Sequence, residues 1–291
     1  WNDKINNVGG SPLMYSIGVG LADSYSTITK FDNPEGALNN YYEGKRIGEI
    51  WGYVTDGFIQ DEAEAQRMAT IQGDISKTWK VGDIRYKDLD GVEGITSAKT
   101  IYNTGDQKVI GNTTPRYSFN INASASWKGF DVRVFFEGIA KRDLWIDSPV
   151  FWGFPSNSNV WQSAVNDYHV DNSWSENNTN AYYPLPSYSG RSKQTQTKYL
   201  QNGAYIRLKD LTISYTIPKA WISTVGIEQL KVFASGQNLW VGTKLFKYLD
   251  PDIVSTRQSN SKDNKLVGNL TSDGKAYPFS RTFSFGINLT F

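Results

Sequence analysis

The last eleven residues of the chain, RTFSFGINLTF, alternate strictly between apolar and polar side chains. Five apolar residues share one parity: Phe283, Phe285, Ile287, Leu289 and Phe291. Because successive side chains of a β-strand point to opposite faces, the segment predicts a strand with one apolar and one polar face. Its length suits a tilted membrane-crossing strand, which needs about 9–11 residues. A half-buried strand of a soluble sandwich is the alternative.

The same alternation recurs along most of the chain and predicts six strands. They are residues 13–29, 116–127, 130–141, 199–217, 230–242 and 281–291. Within one of them the apolar parity breaks between Leu208 and Leu211, which predicts a β-bulge. Another, 230–242, alternates poorly, so the pattern assigns no faces to it. Helical periodicity is confined to two short segments, 61–71 and 160–169.

The polar faces and the connections favour a membrane protein over a sandwich. The polar faces are rich in Ser, Thr, Asn and Gly, and aromatic residues lie at the strand ends, as in the interface girdles of membrane barrels. Short turns, such as the hairpin at 127–130, alternate with long links at roughly 30–115, 142–198 and 243–280. The predicted fold class is therefore all-β, a transmembrane antiparallel β-barrel with a periplasmic C-terminus and long extracellular loops. Six strands do not close a barrel and lipid tolerates no open edges, so further strands are expected.

Composition limits the kinds of functional site that the chain could contain. The chain has 291 residues, a net charge of +1, one His and no Cys. The near-zero net charge gives no indication of nucleic-acid binding. The absence of Cys excludes disulfides and thiolate metal sites. No run of eighteen apolar residues occurs, so no transmembrane helix is predicted. The chain begins at Trp1 without a Met or a signal peptide, and we expect it to be a piece of a longer protein.

Six segments resemble the SusC-like family of TonB-dependent outer-membrane transporters. They are YYEGKRIGEIWGYVTDGFIQ, VGDIRYKDLDG, VIGNTTPRYSFNINASASWKGFDVRVFFEG, YLQNGAYIRLKDLTISYTIP, VFASGQNLW and RTFSFGINLTF. The resemblance covers nearly the whole chain and is weakest in the loops 142–198 and 245–278. It places residues 1–291 in the C-terminal portion of such a transporter.

The resemblance implies a 22-stranded barrel whose N-terminal plug domain and TonB box lie outside this chain. It also implies active, TonB-coupled import of glycan oligomers or, in some members, peptides, together with a SusD-like surface lipoprotein. Phe291 matches the terminal aromatic residue that the barrel-assembly machinery reads in this class. A soluble or surface carbohydrate-binding β-domain and an outer-membrane β-barrel enzyme are the alternatives. No recognisable pair of catalytic carboxylates supports the enzyme, and no catalytic residue or obligatory cofactor is predicted.

One segment offers carboxylates for a metal ion. Asp88 and Asp90 stand in KDLDGVEG, and an Asp-x-Asp-Gly spacing resembles the start of a calcium loop. Asp106, just before VIG, matches a further family carboxylate. The chain departs from the family pattern at Val92 and Glu93 and lacks the acidic residue expected at the twelfth loop position. An Asx-turn without an ion is the alternative.

The segment WIDSPVFWGFPSNSNVW concentrates aromatic side chains. They are Trp145, Phe151, Trp152, Phe154 and Trp161. Flat aromatic faces stack on sugars and also anchor protein interfaces. Three hypotheses stay open for them: packing within the loop, contact with the lipoprotein, and stacking on the transported substrate. The single histidine, His169, is expected to be a polar surface residue of a loop.

Overall fold

The computed structural model of the protein describes residues 1–154, 163–222, 226–254 and 278–291. In chain order the strands are β1 (Asn2–Val8), β2 (Ser11–Ala22), β3 (Glu49–Tyr53), β4 (Thr55–Phe58), β5 (Ile84–Tyr86), β6 (Gln107–Asn112), β7 (Arg116–Trp127), β8 (Phe130–Lys141), β9 (Asp143–Leu144), β10 (Gln201–Asn202), β11 (Tyr205–Thr216), β12 (Gln229–Thr243) and β13 (Thr282–Thr290). The helices are α1 (Glu62–Ile71), α2 (Pro149–Trp152), α3 (Asp167–Asp171) and α4 (Lys219–Ile222).

Seven long strands form one antiparallel sheet in the order β1-β2-β7-β8-β11-β12-β13. Three pairs of short strands, β3-β6, β4-β5 and β9-β10, lie in the connections. The predicted antiparallel β fold is thereby confirmed. Across the part of the chain that the structure describes, no helix is long and apolar enough to cross a membrane.

The structure corrects two of the predicted strands. The strand predicted at 13–29 ends at Ala22, and it pairs with β1, which the six-strand prediction did not include. The sequence of β1, NDKINNV, is polar and almost fully exposed at the edge of the sheet, so it carries no alternation. The strand predicted at 199–217 is divided at Gly203: β10 pairs with β9, and only β11 joins the main sheet.

The predicted bulge is confirmed. Between Leu208 and Asp210 the pairing of β11 shifts its register against both neighbouring strands. While β11 advances by two residues, from Leu208 to Asp210, the neighbouring strand β8 advances by only one, from Phe136 to Phe135. The extra residue, Lys209, returns the alternation to the correct face, which explains the break in apolar parity.

The register also assigns the faces of β12, which the sequence pattern left open. Ala234 pairs with Ile213 and Phe285, and therefore lies on the apolar face. Ser235 pairs with Thr212 and lies on the opposite face. The pattern was weak because Gly236 and Ala234 occupy apolar-face positions with little or no side chain.

The two faces of the sheet differ sharply in chemistry. One face is apolar and open to the surroundings, and Phe285 on it is 81% exposed. A row across the other face joins Ser124, Arg133, Thr212 and Ser235 through successive register pairs. The predicted assignment of apolar and polar parities to opposite faces therefore holds across neighbouring strands.

Turns and long connections segregate to opposite ends of the sheet. At one end, Lys128 and Gly129 join β7 to β8 with φ values of 47° and 84°, the positive values of a type I′ hairpin. At the other end, three long connections leave the sheet, at residues 23–115, 142–204 and 244–281. The predicted alternation of short and long links is therefore present.

The helices are short. Helix α1 agrees with the prediction for 61–71, and its N-cap Asp61 accepts a hydrogen bond of 2.7 Å from the Glu64 backbone N–H. The second predicted helix, 160–169, overlaps only the start of α3. Residues 160–162 lie outside the described part of the chain, and 163–166 are not helical.

Candidate functional site

The described parts of the three long connections pack together into what we call the loop assembly. Its buried hydrophobic core draws on all three: for example Ile84 from the first, Tyr199 from the second and Phe246 from the third. The main sheet contributes little to this core, because its apolar face is exposed. The buried hydrophobic cluster of the described residues is therefore built from the long connections.

Backbone bonds and a buried ion pair join the first two connections. Tyr53 donates its backbone N–H to Thr195 O at 2.9 Å and accepts from Thr197 N at 3.1 Å. Deeper in, Arg191 Nε lies 2.6 Å from Asp83 Oδ2, and both side chains are buried. The Ser192 hydroxyl donates to the other Asp83 oxygen at 2.9 Å, so the buried carboxylate is satisfied on both sides.

Aromatic rings form the centre of the loop assembly. The Trp152 ring lies 4.7 Å from that of Tyr199, and the Phe151 ring lies 5.3 Å from that of Phe246. Tyr183 stacks parallel to Tyr199 at 6.1 Å. These contacts join the second connection to itself and to the third, at distances typical of favourable aromatic pairs.

The structure corrects the contact role predicted for Phe151 and Trp152. Phe151 is completely buried and Trp152 is 5% exposed, and the Trp152 indole N–H donates to Ile146 O at 3.0 Å. No surface remains on these rings for a sugar or a partner protein. Of the three open hypotheses, packing within the loops describes them, because aromatic neighbours from the second and third connections bury them.

Trp145 and Phe154 are only half-buried, and Trp161 lies outside the described residues. The Trp145 ring packs 5.9 Å from that of Trp152, and Phe154 meets the Tyr188 ring at 5.2 Å. Both half-buried rings keep part of their surface available. Their contact with a ligand or partner stays a prediction.

A buried lysine fixes the segment that carries Phe154. Lys193 Nζ donates to the carbonyl oxygens of Phe154 at 2.9 Å and of Ser187 at 2.6 Å. Burial lowers the pKa of Lys193 to about 8, although the nearby Asp147 carboxylate acts in the opposite direction. The ammonium form therefore still predominates at pH 7, and it holds the two backbone segments together.

His169 is 1% exposed and belongs to the loop assembly, which corrects its expected surface position. Its Nδ1 accepts from the Asn166 backbone N–H at 3.3 Å, so Nε2 carries the proton and donates to Phe151 O at 3.1 Å. Both ring nitrogens are thus used in fixing α3 and α2. Burial, aided by the charge of Lys247, lowers the pKa of His169.

This lowered pKa predicts acid-labile loops. In the unfolded chain His169 takes up a proton near its ordinary pKa of about 6.5, whereas the folded state resists protonation. Stability is therefore fully present above pH 6.5 and falls as the pH drops through that value toward the folded pKa. We expect protease resistance of the loop assembly, measured from pH 8 to 5, to decline in this window.

The neutral variant His169→Gln provides the control. The loop assembly of this variant should be less stable at pH 8. Its protease resistance should also decline less steeply as the pH falls, because the contribution of His169 is gone. An identical slope in the variant and the natural sequence would show that other groups cause the acid lability.

The three predicted metal ligands come together. One carboxylate oxygen from each of Asp88, Asp90 and Asp106 lies within 4.8 Å of the others. Asp106 is buried and accepts backbone N–H bonds from Leu89 at 2.6 Å and Thr96 at 2.7 Å. The tertiary fold thus supplies a third carboxylate where the sequence lacks the expected twelfth-position acid. Hard carboxylate oxygens in this arrangement fit Ca²⁺, which takes six to eight oxygen ligands.

The turn hydrogen bonds of the ion-free alternative are present as well. Asp88 Oδ1 accepts from Gly91 N and Asp90 Oδ1 from Val92 N, both at 2.8 Å. These bonds fix the two side chains of the Asx-turns with or without a cation. Calcium binding at this cluster stays a prediction.

We expect Ca²⁺ to raise the thermal stability of the loop assembly, by about 2.7 kcal/mol at a hundredfold excess over its Kd. Asp90→Asn keeps the turn hydrogen bond and removes a charged ligand, so it should abolish most of this gain in a calorimetric titration. Asp32→Asn, at an exposed carboxylate outside the cluster, is the matched control. Equal stabilisation of both variants by Ca²⁺ would contradict the site.

A second charged cluster was not predicted from the sequence. Arg207 is buried between Asp250, to which it hydrogen-bonds, and Asp252, whose Oδ2 lies 2.8 Å from Arg207 Nε. The bulged Lys209 lies 2.8 Å from Glu137 and 3.3 Å from Asp252. This ion cluster fastens the third connection to the polar face of the sheet. In the sequence, this cluster is visible only as two pairs of like charges in distant segments. They are Arg207 with Lys209, and Asp250 with Asp252.

Phe291 follows β13 directly and is exposed. Its position agrees with a terminal aromatic residue at the short-turn end of the sheet. Its role as an assembly signal stays a prediction.

No family model matches the chain. Two proteins of Formosa agariphila are related to it. TonB-dependent receptor P3 is 30% identical over 249 residues, which cover 86% of this chain and 22% of the relative. TonB-dependent receptor P26 is 26% identical over 222 residues, covering 72% of this chain and 20% of the relative. The chain is therefore similar to a portion of these TonB-dependent receptors. It spans about a fifth of the length of these two relatives.

Solved structures share the fold of the chain. The RagAB peptide importer in its open-open state matches the whole chain with a TM-score of 0.65 and 20% identity, and the match covers 28% of that chain. Its closed-closed state matches with a TM-score of 0.65 and 19% identity. The likeness confirms the predicted all-β, antiparallel fold class.

Proposed function

We propose that this chain forms part of an outer-membrane transporter that imports nutrient oligomers. The observation that carries the proposal is the seven-stranded antiparallel sheet, with one exposed apolar face and one polar face, in a chain similar to TonB-dependent receptors. An apolar outer face is compatible with contact to lipid, and a polar inner face is compatible with a water-filled passage. The long connections then lie outside the cell, and the C-terminus lies in the periplasm.

The energy for transport and the extracellular partner protein would come from outside this chain. We infer that TonB acts through a plug domain and TonB box in another part of the protein, and that the remaining barrel strands pair with β1 and β13. A SusD-like lipoprotein is the proposed partner at the loop assembly. Trp145 and Phe154, which keep exposed surface there, are the proposed contacts for the lipoprotein or the cargo.

The cargo is proposed as a glycan oligomer or a peptide. The solved RagAB structures are described as a peptide importer, which supports the peptide class for proteins of this fold. The half-buried aromatic rings of the loop assembly suit sugars as well. We propose transport without bond cleavage, so the purified complete protein should return its cargo chemically unchanged.

Growth of a deletion strain on a panel of glycans and peptides tests the proposal. We expect growth to fail on one class of oligomer and to recover with the natural gene, but not when TonB is absent. Normal growth on the monomers of that class is the control. Undiminished uptake of every oligomer by the deletion strain would contradict the proposal, and pull-down of the lipoprotein would test the partnership separately.

A further inference from the structure

A groove crosses the exposed apolar face of the sheet near its loop end. It is a shallow, open groove with a volume of about 430 Å³. Phe119 and Ile206 line it, and Lys244 closes its outer end. All of its lining residues belong to the described part of the chain.

Small residues create the groove. Ala140, Ala204 and Gly242 line it from three neighbouring segments, where larger side chains would fill the space. At Gly242 an added Cβ would lie 2.7 Å from the Trp240 indole and 3.4 Å from Ile206. The indole therefore lies against the glycine and borders the groove, while half of its own surface stays exposed.

The outer end of the groove carries a positive charge. Lys244 stands one residue beyond β12 and is exposed. Among the described residues, no carboxylate lies within ion-pair distance of its ammonium group. The site thus combines an apolar groove on the lipid side with the ammonium group of Lys244, unpaired within the part of the chain that the structure describes, at the end of the sheet where the loops begin.

We propose that this groove holds one acyl chain of a phosphate-bearing membrane lipid, with the lipid phosphate on Lys244. The apolar lining opens onto the face that contacts hydrocarbon, so an acyl chain is the occupant that needs no desolvation of polar groups. An ammonium at the interface recognises a phosphate by charge and hydrogen bonding. The inference rests on the proposed membrane location but not on any cargo.

Native mass spectrometry of the complete receptor tests the site, with lipid A and its dephosphorylated form as probes. We expect the natural sequence to retain lipid A in preference to the dephosphorylated form. Lys244→Glu should weaken retention of lipid A about tenfold and remove that preference. Gly242→Leu should weaken retention of both forms, because it fills the groove.

Two variants serve as matched controls. Ala234→Leu adds nearly as much bulk to the apolar face outside the groove, and Lys219→Glu reverses an exposed charge at the other end of the sheet. Both should retain lipid A as the natural sequence does. Unchanged retention in Lys244→Glu, or equal loss in the controls, would overturn the site. Import of the cargo is measured separately, so failure here leaves the proposed function standing.

Discussion

Val134→Arg is expected to prevent assembly of most of the barrel. Val134 pairs with Ala123 and Leu211 on the apolar face of the sheet, near the middle of β8. An arginine at the bilayer midplane of a β-barrel costs about 2–4 kcal/mol. The heat-modifiable folded band in isolated outer membranes should therefore fall at least several-fold.

Ser235→Arg is the matched control, because Ser235 pairs with Thr212 on the polar face. We expect it to assemble nearly as well as the natural protein, since its charge meets water. Equal damage from both substitutions would show that the assignment of the two faces is wrong.

Trp152→Ala is expected to unfold the loop assembly while the barrel stays folded. Removing a buried tryptophan typically costs about 3–5 kcal/mol, from lost burial and the cavity that remains. Here the substitution also removes one ring contact each from Phe151 and Tyr199. We expect the loops of the complete receptor to become sensitive to protease and to lose their near-ultraviolet circular dichroism.

Tyr102→Ala is the control, because Tyr102 lies in the first connection and is 78% exposed. It should leave the loops resistant to protease. If Trp152→Ala instead released a lipoprotein partner from loops that stayed intact, Trp152 would be an interface anchor after all.

Alternation was sufficient to predict the strands with a clear apolar face. In β7, β8 and β13 the period of two follows directly from the side-chain geometry of a strand, so their positions were predicted within a residue or two. The bulge near Lys209 was also visible, because one extra residue reverses the parity. Strand β1 was missed because its polar residues lie at an exposed edge and leave no pattern.

The candidate sites depended more on the tertiary structure. Residue chemistry suggested Asp88 and Asp90 as metal ligands and the family resemblance added Asp106, but only folding could bring the third carboxylate beside the other two. Composition singled out Trp152 as important but could not tell a buried ring from an exposed anchor. That difference depends on Tyr183 and Tyr199, which lie far away in the sequence.

The sequence by itself determined the faces of the clearly alternating strands, the alternation of short turns with long loops, and the resemblance to the TonB-dependent receptors, because these are properties of neighbouring residues. The tertiary structure decided which distant segments meet. It joined Arg207 to Asp250 and Asp252, and it buried His169 in a core built entirely from loops. Contacts between residues more than forty positions apart leave no periodic signal, so only the folded chain could reveal them.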